Sequence, residues 1–233
     1  MKILAVAAVL VLITCQTGYC QNTPDHLDSV MIQAFSQARS PDVAGNCASI
    51  SVIKLAIRRY GKDGVFLNVD SLATEYNVKL RDGKAIVLTK NELNSIRGLD
   101  KFVYLQNPQI YKAALFIYGV MAKNRLLTQP NPGYYKTIYD VAYDRGNYQL
   151  IPDTVPNFQL LGIEQDLVKL GFDDANTTSG VITCSDVHST YAGKGYYDEY
   201  GTFELFANFR QKHSRFFTRR WPSREIKYVY GLR

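Results

Sequence analysis

Cys47 has the residue type and the position of a thiol nucleophile. The segment CASISVIKLAIRRYG predicts a helix that begins at Cys47, with Asn46 as its cap, and ends at Gly61. The N–H groups and positive dipole end of a helix N-terminus stabilise a thiolate over a thiol. Gly45 would let the backbone pass close to the group under attack, and the Cys47 N–H is a candidate oxyanion donor. We therefore predict a nucleophilic Cys47 with Gly45 and Asn46 as adjacent backbone.

His188 is the best placed of the three histidines to act with a thiolate. Imidazole can hold the ion pair and then protonate a leaving group. His26 falls near the N-terminus and His213 in a basic segment, whereas His188 lies on a predicted strand that runs into a tight turn. Asp198 lies on the return strand, where cross-strand neighbours share a face. We predict that His188 is the acid–base group and that Asp198 orients its ring. The weaker candidates for that third role are Asp186, Glu199 and Asn208.

Cys184 provides a second interpretation of Cys47. The cysteines are at positions 15, 20, 47 and 184, and the first two fall in a predicted signal peptide, so one pair remains. In an oxidising compartment such a pair predicts a disulfide. Cys184 and His188 fall in one predicted strand, so a Cys47–Cys184 bond and an active site require the same approach of strand to helix. Spacing does not choose between them. The paired spacing of a structural zinc site is missing, and we expect no metal and no cofactor.

The order of predicted elements indicates an α+β fold. Helices are predicted near 30–38, 90–98, 108–126 and 134–144, with a hairpin over 76–88 and an amphipathic segment over 163–171. The helix at 47–60 is apolar around nearly its whole circumference, which predicts a buried central helix. After Gly180, β-branched and aromatic residues predict three antiparallel strands. A mostly helical lobe followed by a sheet is typical of this class.

The tripeptide Gly45-Asn46-Cys47, followed directly by a buried helix, resembles the G-[DN]-C box of papain-like cysteine peptidases and is similar to its calpain-type version. His188 follows Cys47 by roughly 140 residues, within the span of about 130–150 of papain-like enzymes. The resemblance implies a papain-like fold in which the cysteine opens the central helix and the histidine lies on a strand of the C-terminal lobe. It also implies attack on a peptide or amide bond through a thioester.

The chain departs from that family at three places. Pro41 stands where a glutamine usually completes the oxyanion hole, with Ser40 and Asp42 as the nearest polar residues. Ala48 stands where an aromatic residue usually follows the cysteine. No Asn-Ser-Trp-type box follows the histidine. With these departures, the chain resembles a divergent member of the superfamily.

Two functions are therefore predicted side by side. The first is a hydrolase or acyltransferase whose substrate is a protein, a peptide or a peptidoglycan crosslink, since hydrolysis, transfer and glutamine deamidation share thioester chemistry. The second is a non-enzymatic secreted binding or surface domain on the same scaffold, stapled by a Cys47–Cys184 disulfide. The missing glutamine favours the second.

Residues 1–20 predict a cleavable signal peptide. Lys2 precedes an apolar run over 3–13 that is too short to span a bilayer, and small residues precede a cut before Gln21. We expect a secreted protein, extracellular or periplasmic, with 21–233 as a single monomeric domain. The alternative is a lipoprotein anchored at Cys15.

The net charge of +6 is concentrated near the C-terminus. Cations there are interleaved with Phe216, Phe217 and Trp221. No spacing matches a nucleic-acid motif, so we expect no specific nucleic-acid partner. The basic C-terminal segment predicts a solvated face or attraction to an anionic surface.

Overall fold

The computed structural model describes residues 25–37, 46–99, 102–144, 154–185, 188–205, 226 and 228–233. Within these ranges the chain forms helices and antiparallel sheets. The helices are α1 (His26–Ala34), α2 (Cys47–Tyr60), α3 (Lys90–Arg97), α4 (Pro108–Leu127), α5 (Ile138–Asp144), α6 (Thr154–Leu161) and α7 (Asp174–Thr177). The strands are β1 (Phe35–Gln37), β2 (Asn68–Ser71), β3 (Glu75–Lys79), β4 (Ala85–Thr89), β5 (Phe102–Tyr104), β6 (Leu167–Leu170), β7 (Val181–Cys184), β8 (Ser189–Gly193), β9 (Tyr196–Glu199), β10 (Thr202–Leu205) and β11 (Tyr228–Leu232). The predicted mixture of helices and antiparallel strands is confirmed.

Helix α2 is the buried centre of the fold. Every residue from 49 to 57 is buried, as its apolar circumference predicts. Gly61 ends the helix with a positive φ of 79°, and its N–H donates to the Ile57 carbonyl. The predicted bounds of this helix are confirmed, and Cys47 is its first residue.

The predicted hairpin over 76–88 belongs to a larger sheet. Strands β2, β3 and β4 form a three-stranded antiparallel sheet, and Gly83 in the β3–β4 turn has a φ of 89°. Thr89 and Glu92 form the predicted capping box of α3. Asn107 caps α4, with Pro108 in the first turn. Local sequence signals thus define these helix starts correctly.

The C-terminal sheet has six strands in the order β10-β9-β8-β7-β11-β6, all antiparallel. The segment 180–192, predicted as one strand, instead contributes two antiparallel strands, β7 and β8, that pair with each other. The described residues after Gly180 therefore form five strands, where three were predicted. The segment Leu167–Leu170, within the predicted amphipathic stretch, is a strand that pairs with β11. Pairing with a distant strand supplies backbone hydrogen bonds that a short local pattern does not reveal.

Two predicted helix bounds also differ. The first helix spans His26–Ala34, because the following residues form β1 and pair with β5. The helix predicted over 134–144 begins at Ile138. None of the helices in the described ranges is long and apolar enough to cross a membrane.

Several predictions lie outside the described residues. They concern the signal peptide at 1–20 with Cys15, the backbone of Gly45, the candidates Asp186 and Asn208, and the basic stretch over 206–225.

Candidate functional site

Cys47 and His188 line one cleft between α2 and the sheet. Helix α2 packs mainly against β8, which brings the first residue of the helix to the residue just before the strand. Both side chains are half-buried, and the Cys47 thiol is hydrogen-bonded to the His188 side chain. The structure therefore brings the predicted nucleophile and the predicted acid–base group into contact.

The surroundings of Cys47 favour the thiolate. Burial raises the pKa of Cys47, but the hydrogen bond and positive charge of His188 lower it, as do hydrogen bonds from the N–H groups of Ser189 and Ala48. The lowering effects together exceed the effect of burial, so the pKa lies below the usual value for a thiol. A larger share of the sulfur is therefore a nucleophilic thiolate near neutral pH.

Asn46 occupies the N-cap position of α2, but its side chain makes no capping hydrogen bond. The prediction that it caps the helix through its side chain is wrong. The Ala48 N–H, in the first turn, interacts instead with the Cys47 sulfur. A first turn without a side-chain cap leaves its N–H groups available to an anion.

Hydrogen bonds with Ser185 hold the backbone of His188. The His188 carbonyl accepts from the Ser185 N–H at 2.8 Å, and the His188 N–H donates to Ser185 Oγ at 3.1 Å. The imidazole ring stacks beside the Tyr200 ring, with centroids 6.3 Å apart and an interplanar angle of 26°. Tyr200 also lines the cleft, and sequence analysis did not identify it.

Asp198 lines the cleft, but the contacts of its carboxylate are not those predicted. Its Oδ2 accepts from Lys54 Nζ at 2.6 Å and its Oδ1 accepts from the Gly201 N–H at 2.6 Å. The hydrogen bonds of the carboxylate thus connect it to α2 and to the turn after β9. The predicted orientation of the His188 ring by Asp198 is thus not supported, because a buried ammonium and a turn N–H hold both oxygens.

Lys54 explains this arrangement. It lies on the same face of α2 as Cys47 and Ser51, two helical turns from the cysteine, and its side chain is fully buried. Its Nζ also donates to the Ile32 carbonyl at 3.2 Å and lies 5.0 Å from the centre of the Phe35 ring. Burial lowers the pKa of Lys54, and the carboxylate beside it opposes that shift. The sequence signal that would have revealed Lys54 is a cation within an otherwise apolar stretch of helix.

The structure does not contain the Cys47–Cys184 disulfide of the alternative interpretation. Both residues are thiols in the structure. Cys184 is buried on β7 opposite Ser189, whose hydroxyl lies 3.5 Å from the Cys184 sulfur. Cys184 is the last residue of β7 and His188 precedes β8, so the two residues do not lie on one strand. The prediction that a disulfide and an active site require the same approach of one strand therefore does not hold.

Gln37 is a third residue that sequence analysis missed. It ends β1 and lines the cleft together with Cys47. Gln37 lies farther from Cys47 in sequence than Pro41, the position at which the family's glutamine was expected. A search at the expected position therefore does not find Gln37. Within the described part of the chain, the Gln37 amide has no hydrogen-bond partner. The cleft that Cys47 lines therefore also contains an amide donor.

The cleft has the components of acyl-transfer chemistry: an activated thiol, an imidazole in contact with it and a neutral amide donor. No group of three potential metal ligands occurs among the described residues. No protein-family model matches the chain, and neither a curated protein nor a solved structure matches it.

Proposed function

We propose that this protein is a thiol-dependent hydrolase or acyltransferase that acts on a peptide or amide bond, on a scaffold of papain-like type. The observation that carries the proposal is the contact between the Cys47 thiol and the His188 ring at the N-terminus of α2. A thiol in contact with an imidazole and two backbone N–H groups is the arrangement that an activated nucleophile requires.

In the proposed reaction the Cys47 thiolate attacks the carbonyl carbon and forms a C–S bond. The protonated His188 then gives its proton to the leaving nitrogen as the C–N bond breaks, which leaves a thioester. Water or an acceptor amine attacks the thioester while His188 accepts its proton. The acyl group leaves as an acid or a transferred amide, and the thiolate is restored.

In this proposal the Gln37 side chain donates a hydrogen bond to the oxyanion of the tetrahedral intermediate. Replacing Gln37 with alanine should slow acylation of Cys47 by p-nitrophenyl acetate on the order of 10²-fold, because the tetrahedral intermediate loses a hydrogen bond. Alkylation of the same sulfur by iodoacetamide should not change, since alkylation forms no oxyanion. Gln159→Ala, on an exposed position of α6, is the matched control. Equal acylation rates in the wild type and Gln37→Ala would exclude this role.

Alkylation of the unreduced protein tests the nucleophile directly. At pH 6 we expect iodoacetamide to modify Cys47, whose pKa is lowered, and not Cys184, which is buried in the core. Mass spectrometry of peptides locates the label. Cys184→Ala should keep the uptake, and Cys47→Ala should abolish it.

The same variants decide whether the thiol is used for catalysis. A panel of peptides, glutamine amides and peptidoglycan crosslinks is assayed with the wild type and with Cys47→Ala. Activity on one class that disappears in Cys47→Ala supports the proposal and names the substrate class. Full activity in Cys47→Ala, or a wild-type alkylation profile of an ordinary thiol, contradicts it.

A further inference from the structure

Tyr200 has a backbone conformation that its residue type disfavours. The turn between β9 and β10 contains two residues, Tyr200 with a φ of 53° and Gly201 with a φ of 87°. Two positive φ values between paired strands make a type I′ turn, whose first position prefers asparagine, aspartate or glycine. A bulky side chain in the left-handed region is strained, and such strain is found where function requires a side chain at that place.

This backbone conformation places the Tyr200 ring in the cleft beside His188. The two rings stack with centroids 6.3 Å apart, within the range of favourable aromatic contacts. An aromatic face also stabilises an adjacent cation, which here is the imidazolium formed when Cys47 is a thiolate. The contact therefore favours the ion pair over the neutral pair.

The buried ion pair of Asp198 and Lys54 stabilises the Tyr200-Gly201 turn. The Gly201 N–H donates to Asp198 Oδ1, and Asp198 Oδ2 accepts from Lys54 on α2. A side chain at position 201 would collide with Leu105, since a Cβ there would lie 2.1 Å from its Cδ1. The hydrogen bond from Gly201 to Asp198 therefore holds the turn in the conformation that directs Tyr200 toward His188.

We propose that Tyr200 is a positioning residue for His188, and that Asp198 acts on the histidine through the Tyr200-Gly201 turn and not by a direct hydrogen bond. This inference rests on the proposed function, because it assigns how the acid–base group of that site is held. The ring of Tyr200 confines the imidazole to the orientation that contacts Cys47 and stabilises its protonated form.

A second type I′ turn provides a matched control. Lys194, with a φ of 47°, and Gly195, with a φ of 84°, connect β8 to β9 in the same geometry. Lys194 does not line the cleft. Tyr200→Gly and Lys194→Gly therefore relieve the same kind of strain, but only the first removes a ring from His188. Tyr200→Phe keeps both the ring and the strain.

The test measures the pH dependence of Cys47 alkylation by iodoacetamide together with the melting temperature. In Tyr200→Gly we expect the alkylation profile to move to higher pH, with the rate at pH 6 lower by about threefold to tenfold, and no fall in melting temperature. Lys194→Gly should keep the wild-type profile with no fall in melting temperature, and Tyr200→Phe should also keep the wild-type profile. A residue with only a structural role would lower reactivity and stability together.

Proton NMR of the histidine rings gives an independent readout. The Tyr200 ring current should shift the His188 ring protons in the wild type and in Tyr200→Phe, and the shift should vanish in Tyr200→Gly. An unchanged alkylation profile in Tyr200→Gly overturns the inference, and so does a loss in Tyr200→Phe equal to that in Tyr200→Gly. If Cys47 of the wild type shows the pH profile of alkylation of an ordinary thiol, that result contradicts the proposed function itself.

Discussion

Replacing His188 with alanine should remove most of the low-pH reactivity of Cys47. Burial raises the pKa of this thiol, and the hydrogen bond and charge of His188 are the largest effects that lower it. Without the imidazole, burial is opposed only by the N–H groups of Ser189 and Ala48. The pKa should rise, and alkylation by iodoacetamide at pH 6 should fall by about tenfold or more, since one pKa unit is a tenfold change in thiolate at pH values below the pKa.

In His188→Ala the rate of catalytic turnover should fall by a larger factor than the rate of Cys47 alkylation. In the proposed reaction the variant lacks the group that protonates the leaving nitrogen, a step worth about 10²- to 10⁴-fold in rate. Turnover of the substrate class identified in the panel measures this loss. His26→Ala is the matched control, because His26 is exposed on α1, and it should change neither quantity. Low-pH alkylation of Cys47 that persists unchanged in His188→Ala would show that the imidazole does not activate the thiol.

Replacing Lys54 with methionine should strongly destabilise the fold. The Lys54 side chain is fully buried and that of Asp198 is 7% exposed, so the variant leaves a carboxylate in the interior without its cation. Breaking such a pair from one side costs about 3–5 kcal/mol of the free energy of unfolding. Urea denaturation followed by circular dichroism measures this cost.

A double-mutant cycle separates the pair from the individual side chains. Lys54→Met combined with Asp198→Leu removes both charges, and replacing a buried pair with apolar groups is often close to neutral. We expect the double variant to recover most of the stability that Lys54→Met loses. The surface pair of Lys62 and Asp63 is the control, and Lys62→Met should change the free energy of unfolding by less than about 1 kcal/mol. A double variant as unstable as the sum of the two single variants would show that the charges are not coupled.

The elements that hold the nucleophile were predictable because their signals are local. The start of α2 at Cys47 and its end at Gly61 follow from apolar residues, a C-terminal glycine and two cations in the last turn. The capping box of α3 and the cap of α4 are equally local. Hydrogen bonds between neighbours in sequence determine these features, so no knowledge of the distant chain is needed.

The assignment of Cys47 and His188 to one site depended on residue type, order and spacing, and the structure places the two side chains in contact. The third residue could not be predicted in the same way. Asp198 was expected to contact the histidine because a hairpin brings the two strands together. The alternative partner, Lys54, is 144 positions away in sequence, and only the packing of α2 against the sheet brings it to the carboxylate.

By itself, the sequence determined the mixed helical and antiparallel class, the helix that begins at Cys47 and the histidine that contacts the Cys47 thiol. Only the tertiary structure decided which polar groups meet in the cleft. It paired Asp198 with Lys54, placed Gln37 and Tyr200 in the cleft that Cys47 lines, ended β7 at Cys184 before His188 and made a strand of Leu167–Leu170. The physical reason is that a buried charge or an unpaired strand edge is stabilised by whichever group packing brings within reach, and strand register determines that group.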